Sequence, residues 1–160
     1  MNIHIRPLTP YEIPLLEELL YQAVYQRDPA NPIPRSVVQY PEVRVYIQDY
    51  GRKDDHCLVA VSGGQIVGGV WTRILCGEIK GFGNIDPHTP EFAISVLGKY
   101  RGRGIGRQLM LGMLALLREK GYAQASLAVQ KDNPAVRLYR SVGFATVRET
   151  DEEYIMVNIL

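Results

Sequence analysis

Nine consecutive residues constrain this chain more than any others. Gly98-Lys99-Tyr100-Arg101-Gly102-Arg103-Gly104-Ile105-Gly106 holds four glycines and three cations between two strongly patterned segments. Upstream, Glu91 to Leu97 reads as a strand. Downstream, Leu109, Met113, Leu116 and Leu117 recur at helical spacing and predict a buried face on a helix from Ile105 to Lys120, ended by Gly121. A strand that turns into a helix through such a segment uses glycine to bend sharply and to keep β-carbons out of the way of a ligand. The first amides of the helix lack internal partners and sit at the positive end of its dipole, so the turn predicts an anion cradle suited to a diphosphate. Arg101, Arg103 and Arg107 add charge matched to phosphate oxygens.

Two other phosphate-binding motifs fail by counting. A dinucleotide fingerprint, G-x-G-x-x-G, needs a glycine three residues beyond Gly104, where Arg107 stands. A P-loop needs a glycine five residues beyond Gly98, where Arg103 stands, and no Lys-Ser or Lys-Thr follows.

The rest of the chain is punctuated into short elements. Ile3-His4-Ile5 alternates as a first strand, and Thr9-Pro10-Tyr11-Glu12 has capping-box spacing with proline at the first helical position. Ile13, Leu16, Leu20, Ala23 and Val24 continue that helix. Pro29, Pro32 and Pro34 make 27–34 a rigid connector, and Pro41 to Tyr50 predicts a second helix stopped by Gly51. Cys57 to Val61 and Gln65 to Leu75 are strands joined at Gly63-Gly64, with Gly68-Gly69 predicting a bulge in the second. Residues 76–90 form a loop rich in glycine and proline. Ala125 to Val129 is a strand, Asn133-Pro134 caps a short helix reaching Val142, and Phe144 to Arg148 and Tyr154 to Ile159 close the chain. Asp151-Glu152-Glu153 reads as a solvated acidic turn. The prediction is one α/β domain over residues 1–160, with a mixed, mostly antiparallel sheet of about seven strands and four helices.

With 160 residues the chain can bury a single core. Lys plus Arg number 18 against 17 Asp plus Glu, a balance that argues against a sequence-independent nucleic-acid partner. Cys57 and Cys76 have no C-x-x-C partner, and His4, His56 and His88 are far apart, so neither a metal site nor a disulfide is expected. The N-terminus lacks a signal-peptide apolar run and no stretch approaches membrane-spanning length, which makes the cytoplasm the expected location, away from any membrane.

Residues 94–110, I-S-V-L-G-K-Y-R-G-R-G-I-G-R-Q-L-M, resemble the acyl-CoA signature of the GCN5-related N-acetyltransferase (GNAT) superfamily: a strand, then Arg/Gln-x-x-Gly-x-Gly/Ala, then a helix. Residues 132–144, D-N-P-A-V-R-L-Y-R-S-V-G-F, resemble that superfamily's downstream N-x-x-A-x-x-x-Y-x-x-x-G-F pattern. With the order β-α-α-β-β-β-α-β-α-β-β, the resemblance spans nearly the whole chain. It implies the GNAT fold and an N-acetyltransferase that moves an acetyl group from acetyl-CoA (coenzyme A) to a primary amine of a small molecule, or to a peptide N-terminus, in a ternary complex. No metal is implied, and a homodimer is compatible with it. A non-catalytic acyl-CoA-binding regulatory module and a cofactor-free interaction scaffold are the competing readings; release of free CoA and a thermal shift with acetyl-CoA separate them.

The resemblance also implies roles. The fourth and fifth strands splay, and the pantetheine arm pairs with the fourth strand along Ser95, Val96 and Leu97. The amides of Arg101, Gly102, Arg103, Gly104, Ile105 and Gly106, with Arg107, hold the pyrophosphate. Asn133 meets the pantetheine arm while also serving as a helix cap. Tyr139 lies beside the thioester sulfur, where a phenol can protonate a leaving thiolate, and the Val96 amide is positioned to polarise the thioester carbonyl. Glu91, opening the fourth strand, is the candidate base. The acceptor side falls on residues 20–50 and 76–91, with Glu78, Asp86 and Glu91 as its carboxylates, which points to a cationic amine.

Overall fold

Short alternating runs between turns become the strands β1 (His4–Pro7), β2 (His56–Ser62), β3 (Gln65–Arg73), β4 (Glu91–Val96), β5 (Gln124–Gln130), β6 (Ala145–Glu149) and β7 (Glu153–Ile159). The helices are α1 (Leu16–Ala23), α2 (Pro41–Arg44), α3 (Ile105–Glu119) and α4 (Ala135–Ser141). The structure is a computed structural model that describes residues 2–160. Its one seven-stranded sheet has the order β1-β2-β3-β4-β5-β7-β6. Neighbours are antiparallel except β4 and β5, which run parallel and are joined through α3. The architecture expected from the sequence, in fold class and in element order, is the one observed.

Strand alternation splits the core between the two faces of the sheet. One face carries Val59, Trp71 and Ala93 against Leu16, Leu19 and Leu20 of α1 and Tyr46 and Ile47 beyond α2. The other carries Leu58, Val70, Phe92 and Leu127 against α3, with Val136 and Tyr139 of α4 in the same cluster. The inward stripe of α3 is Ile105, Leu109, Met110, Met113, Leu114 and Leu117. Leu116, expected on that stripe, is only partly buried, because Met110 and Leu114 complete the face instead.

Three local expectations change. The first helix begins as a 3-10 segment over Pro10–Leu15, because Pro14 has no N–H to donate to the α-helical ladder. The capping contact survives, with the Thr9 amide donating to Glu12 Oε1 at 2.9 Å. The second helix is α-helical only over Pro41–Arg44 and continues as turns. There the Arg73 guanidinium, reaching across from β3, donates to the carbonyls of Val45 at 2.9 Å and Gln48 at 2.7 Å while pairing with Asp55 at 2.9 Å. The bulge in β3 falls at Val67, since Ala60 pairs with Gly68 while Val61 pairs with Ile66. Gly68 and Gly69 serve close packing. A Cβ on Gly68 would lie 2.9 Å from the Ser95 carbonyl oxygen, and one on Gly69 would lie 2.9 Å from Leu19 Cδ1.

Candidate active site

The parallel pair β4–β5 is held at a single register position, Glu91 opposite Ser126, where the Ser126 amide donates to the Pro90 carbonyl at 2.9 Å. Beyond it the two strands diverge, and a cavity of about 460 Å³ runs through the opening. Its walls come from both faces of the sheet: Tyr25, Tyr46, Phe82 and Glu91 on the α1 side, Phe92, Ile94 and Tyr139 on the α3–α4 side.

Backbone alternation decides which groups of β4 face this opening. The Leu97 amide donates to the Val67 carbonyl of β3 at 2.9 Å, so Leu97 and Ser95 direct their backbone groups to β3. Ile94 and Val96 therefore direct theirs to the opening. The Val96 carbonyl is already taken by Arg101 Nε at 2.8 Å, which leaves the Val96 amide and both polar groups of Ile94 facing it. Ser95 is buried, and its hydroxyl donates to the Leu19 carbonyl at 2.7 Å. Of the three strand residues expected along the pantetheine arm, the geometry brings Val96 to the opening. It also brings Ile94, which the sequence reading did not single out.

The glycine segment leaves β4 through a 3-10 turn at Gly98–Tyr100 and enters α3 with Gly102 at φ +74° and Gly104 at φ +80°. Those angles lie in the left-handed region where a side chain is strained. A Cβ on Gly98, Gly102 or Gly104 would meet nothing within 4 Å, so the backbone here borders open space. The helical ladder starts with the Gln108 amide donating to the Gly104 carbonyl at 3.1 Å, which places the amides of Ile105, Gly106 and Arg107 ahead of it. The Arg103 guanidinium lies over the Tyr100 ring at 5.8 Å, and Arg107 Nη1 donates to Ser141 Oγ of α4 at 2.9 Å. Loop, helix start and arginines form a cradle whose shape and charge fit the diphosphate of coenzyme A.

Glu91 is 2% exposed despite its charge. Its Oε2 accepts hydrogen bonds from the Tyr46 hydroxyl and from the Gly83 amide, the latter at 2.9 Å. Burial pushes this carboxyl up to about 7, and the two donors oppose the rise only in part. A carboxyl that titrates there, on a residue that lines the cavity, can accept a proton near neutral pH. Tyr139, 8% exposed, packs edge-on to Phe144 at 6.4 Å, and burial raises its phenol to about 12. It stays protonated at neutral pH and can donate. Asn133 Oδ1 accepts the Ala135 amide at 2.9 Å, so its capping role is realised while the residue also lines the cavity.

Two of the expected acceptor-side carboxylates lie off this cavity wall. Asp86 lies outside the cavity wall and is tied into its own turn, accepting from Thr89 Oγ1 at 2.7 Å and the His88 amide at 2.8 Å; these donors lower its pKa. Glu78 is exposed and also absent from the wall. Conversely, Glu153, read from the sequence as part of a solvated turn, opens β7, is partly buried and lines the cavity; burial, then repulsion from Glu152, raises its pKa. The available signal was alternation: Glu153 shares a face with the buried Ile155 and Val157. Among the described residues no helix is long and apolar enough to cross a membrane, and no group of three or more His, Cys, Asp or Glu is placed to hold a metal ion.

Known proteins resemble this chain in sequence or in fold. A family model described as Acetyltransferase (GNAT) family matches residues 20–144. The mycothiol acetyltransferase of Saccharomonospora viridis is 38% identical over 92 residues, covering 57% of this chain and 29% of the relative. That of Thermobispora bispora is 38% identical over 87 residues, covering 54% and 28%. The chain thus spans less than a third of the length of these relatives. Among solved structures, PaiA N-acetyltransferase from Thermoplasma acidophilum in complex with coenzyme A aligns with a TM-score of 0.72 at 16% identity over 100% of both chains. The ribosomal-protein-S18-alanine N-acetyltransferase of Escherichia coli aligns at 0.67 and 18% identity, covering 99% of this chain and 94% of that one. These structural likenesses are likenesses of fold.

Proposed function

The chain belongs to the GNAT acetyltransferase family, and on that premise we propose that it transfers an acetyl group from acetyl-CoA directly to a small primary amine that is cationic in solution. The observation that carries the proposal is the cavity through the β4–β5 opening, which Glu91 and Tyr139 reach from opposite faces of the sheet.

When bound, acetyl-CoA supplies the acetyl group as a thioester. The residues that would hold it are the 101–107 cradle at the diphosphate, Ile94 and Val96 along the arm, and Asn133 beside it. Glu91 takes the proton of the attacking amine, and the low exposure of the carboxyl keeps water from competing. Tyr139, neutral at working pH, gives a hydrogen bond or a proton to the departing sulfur. Tyr139→Phe is therefore expected to lower kcat by roughly ten- to a thousand-fold with acetyl-CoA affinity unchanged, as for a contact made in the transition state. Single-turnover kinetics with calorimetry on the same variant measure both quantities.

Acceptor class follows from the α1-side wall, where Glu91 and Glu153 stand among Tyr25, Tyr46 and Phe82. Carboxylates and aromatic faces attract a protonated amine and disfavour an anion. A panel of amines assayed by thiol release tests this: cationic primary amines are expected to react, and Glu153→Gln to raise KM for them roughly three- to thirty-fold with little change in kcat. Reaction confined to anionic or uncharged acceptors would remove the assignment of acceptor class and leave the acetyl-CoA site standing. Absence of thiol release with every acceptor, despite acetyl-CoA binding, would favour a non-catalytic module.

A further inference from the structure

Glu91 does not orient itself. Its carboxylate is gripped by a residue 45 positions away in sequence, Tyr46, whose hydroxyl donates to Oε2 and accepts the Phe82 amide at 2.9 Å. Tyr46 is itself fixed at both ends. The Trp71 indole N–H donates to its carbonyl at 3.0 Å, and its ring stacks on Phe82 with centroids 6.3 Å apart and planes 17° apart. The Gly83 amide supplies the second donor to Oε2 at 2.9 Å.

Oε2 is thus held by two donors, whereas the buried Oε1 has no protein partner among the described residues. The loop can wrap the carboxylate this closely only because it carries glycines. A Cβ on Gly81 would fall 1.9 Å from Oε1, and one on Gly83 would fall 2.7 Å from the Leu127 carbonyl carbon.

We propose that Tyr46 is a positioning residue for the base: it holds Oε2 and so leaves Oε1, buried against the Gly81 loop and without a protein donor among the described residues, as the oxygen that takes the proton. The inference rests on Glu91 being the base. The hydroxyl also favours the ionised carboxylate, so its removal should make Glu91 titrate higher. The other groups facing this carboxylate do not replace it. Glu153 of β7 raises the pKa of Glu91 further, and Arg73, opposite on β3, is committed to Asp55 and three backbone carbonyls. Tyr139 and Asp28 line the same cavity, and Arg27 there is paired with Asp132.

The test compares pH profiles of kcat/KM for wild type, Tyr46→Phe and Glu91→Gln, together with a carbon-13 NMR titration of the Glu91 carboxyl, which needs no turnover. Tyr46→Phe is expected to move the acidic limb and the NMR midpoint upward by roughly 1–2 pH units and to lower kcat, with KM for acetyl-CoA unchanged. 3-Fluorotyrosine in place of Tyr46, a stronger donor with an almost unchanged shape, is expected to move the same midpoint down and serves if the phenylalanine variant does not fold. A midpoint unmoved by either change overturns the inference. An acidic limb that persists in Glu91→Gln overturns the reading of Glu91 as the base, and the NMR midpoint separates that outcome from failure of the Tyr46 contact.

Discussion

Replacing Gly104 by glutamate is expected to abolish acetyl-CoA binding, with affinity falling at least roughly a hundredfold. Gly104 holds φ at +80°, and its Cβ direction opens onto space with no atom within 4 Å. A glutamate there meets no protein atom; beyond the left-handed strain that any side chain carries at this position, it projects into the volume in front of the first turn of α3 and brings a negative charge to a diphosphate. Two effects are separable. Gly104→Ala carries only the strain of left-handed backbone, about 1–2 kcal/mol, which appears as a lowered melting temperature. Gly106→Glu carries only the charge, because Gly106 is not at positive φ and its Cβ would sit 3.4 Å from Leu138 Cδ2, an ordinary contact. Calorimetry should therefore find strong losses in both glutamate variants and affinity close to wild type in Gly104→Ala. Undiminished affinity in a folded Gly104→Glu protein would show that the glycine loop is not the diphosphate site.

The second large effect is expected from Glu91→Gln, which should lower kcat by roughly a hundred- to ten-thousand-fold. The base must be ionised to accept a proton, and burial has raised its pKa to about 7. In wild type, kcat/KM should therefore rise with pH through about 7 and flatten above it, until deprotonation of the acceptor adds its own rise. Glutamine keeps the shape and can still accept from Tyr46 and Gly83, so acetyl-CoA affinity should stay within a few-fold of wild type while the limb near pH 7 disappears. A Glu91→Gln enzyme with wild-type turnover would place the base elsewhere in the cavity wall, with Glu153 the next candidate.

Features encoded within about one helix length of chain could be read before the fold was known. The buried stripe of α3, the Gly63-Gly64 hairpin with φ of +56° and +79°, the left-handed turns at Gly102 and Gly104 and the capping by Asn133 all depend on near neighbours. The same holds for the order of elements and for the family motifs, which are contiguous strings. At two of the places where local reading failed, a distant group intervened. Arg73 takes the carbonyls that would have continued the helix after Arg44, and Leu19 and the Ser95 carbonyl demand the glycines at 69 and 68.

Which carboxylates border the cavity, and how they are held there, was decided by tertiary structure. Glu91 and Glu153 are ordinary carboxylates in the sequence. One is buried with a raised pKa only because β4 carries it under Tyr46 and the 81–83 loop, and the other reaches the cavity only because β7 pairs with β5. Asp86, equally plausible on paper, was lost to a turn with Thr89. Glu91 and Tyr139 flank one opening because β4 turns Glu91 to the α1 face while α4 packs Tyr139 on the other. The physical reason is common to all of these. Backbone preference and periodicity are short-range and are written residue by residue, whereas desolvation and hydrogen bonding depend on which atoms the folded chain brings together, and that is fixed only when the sheet assembles.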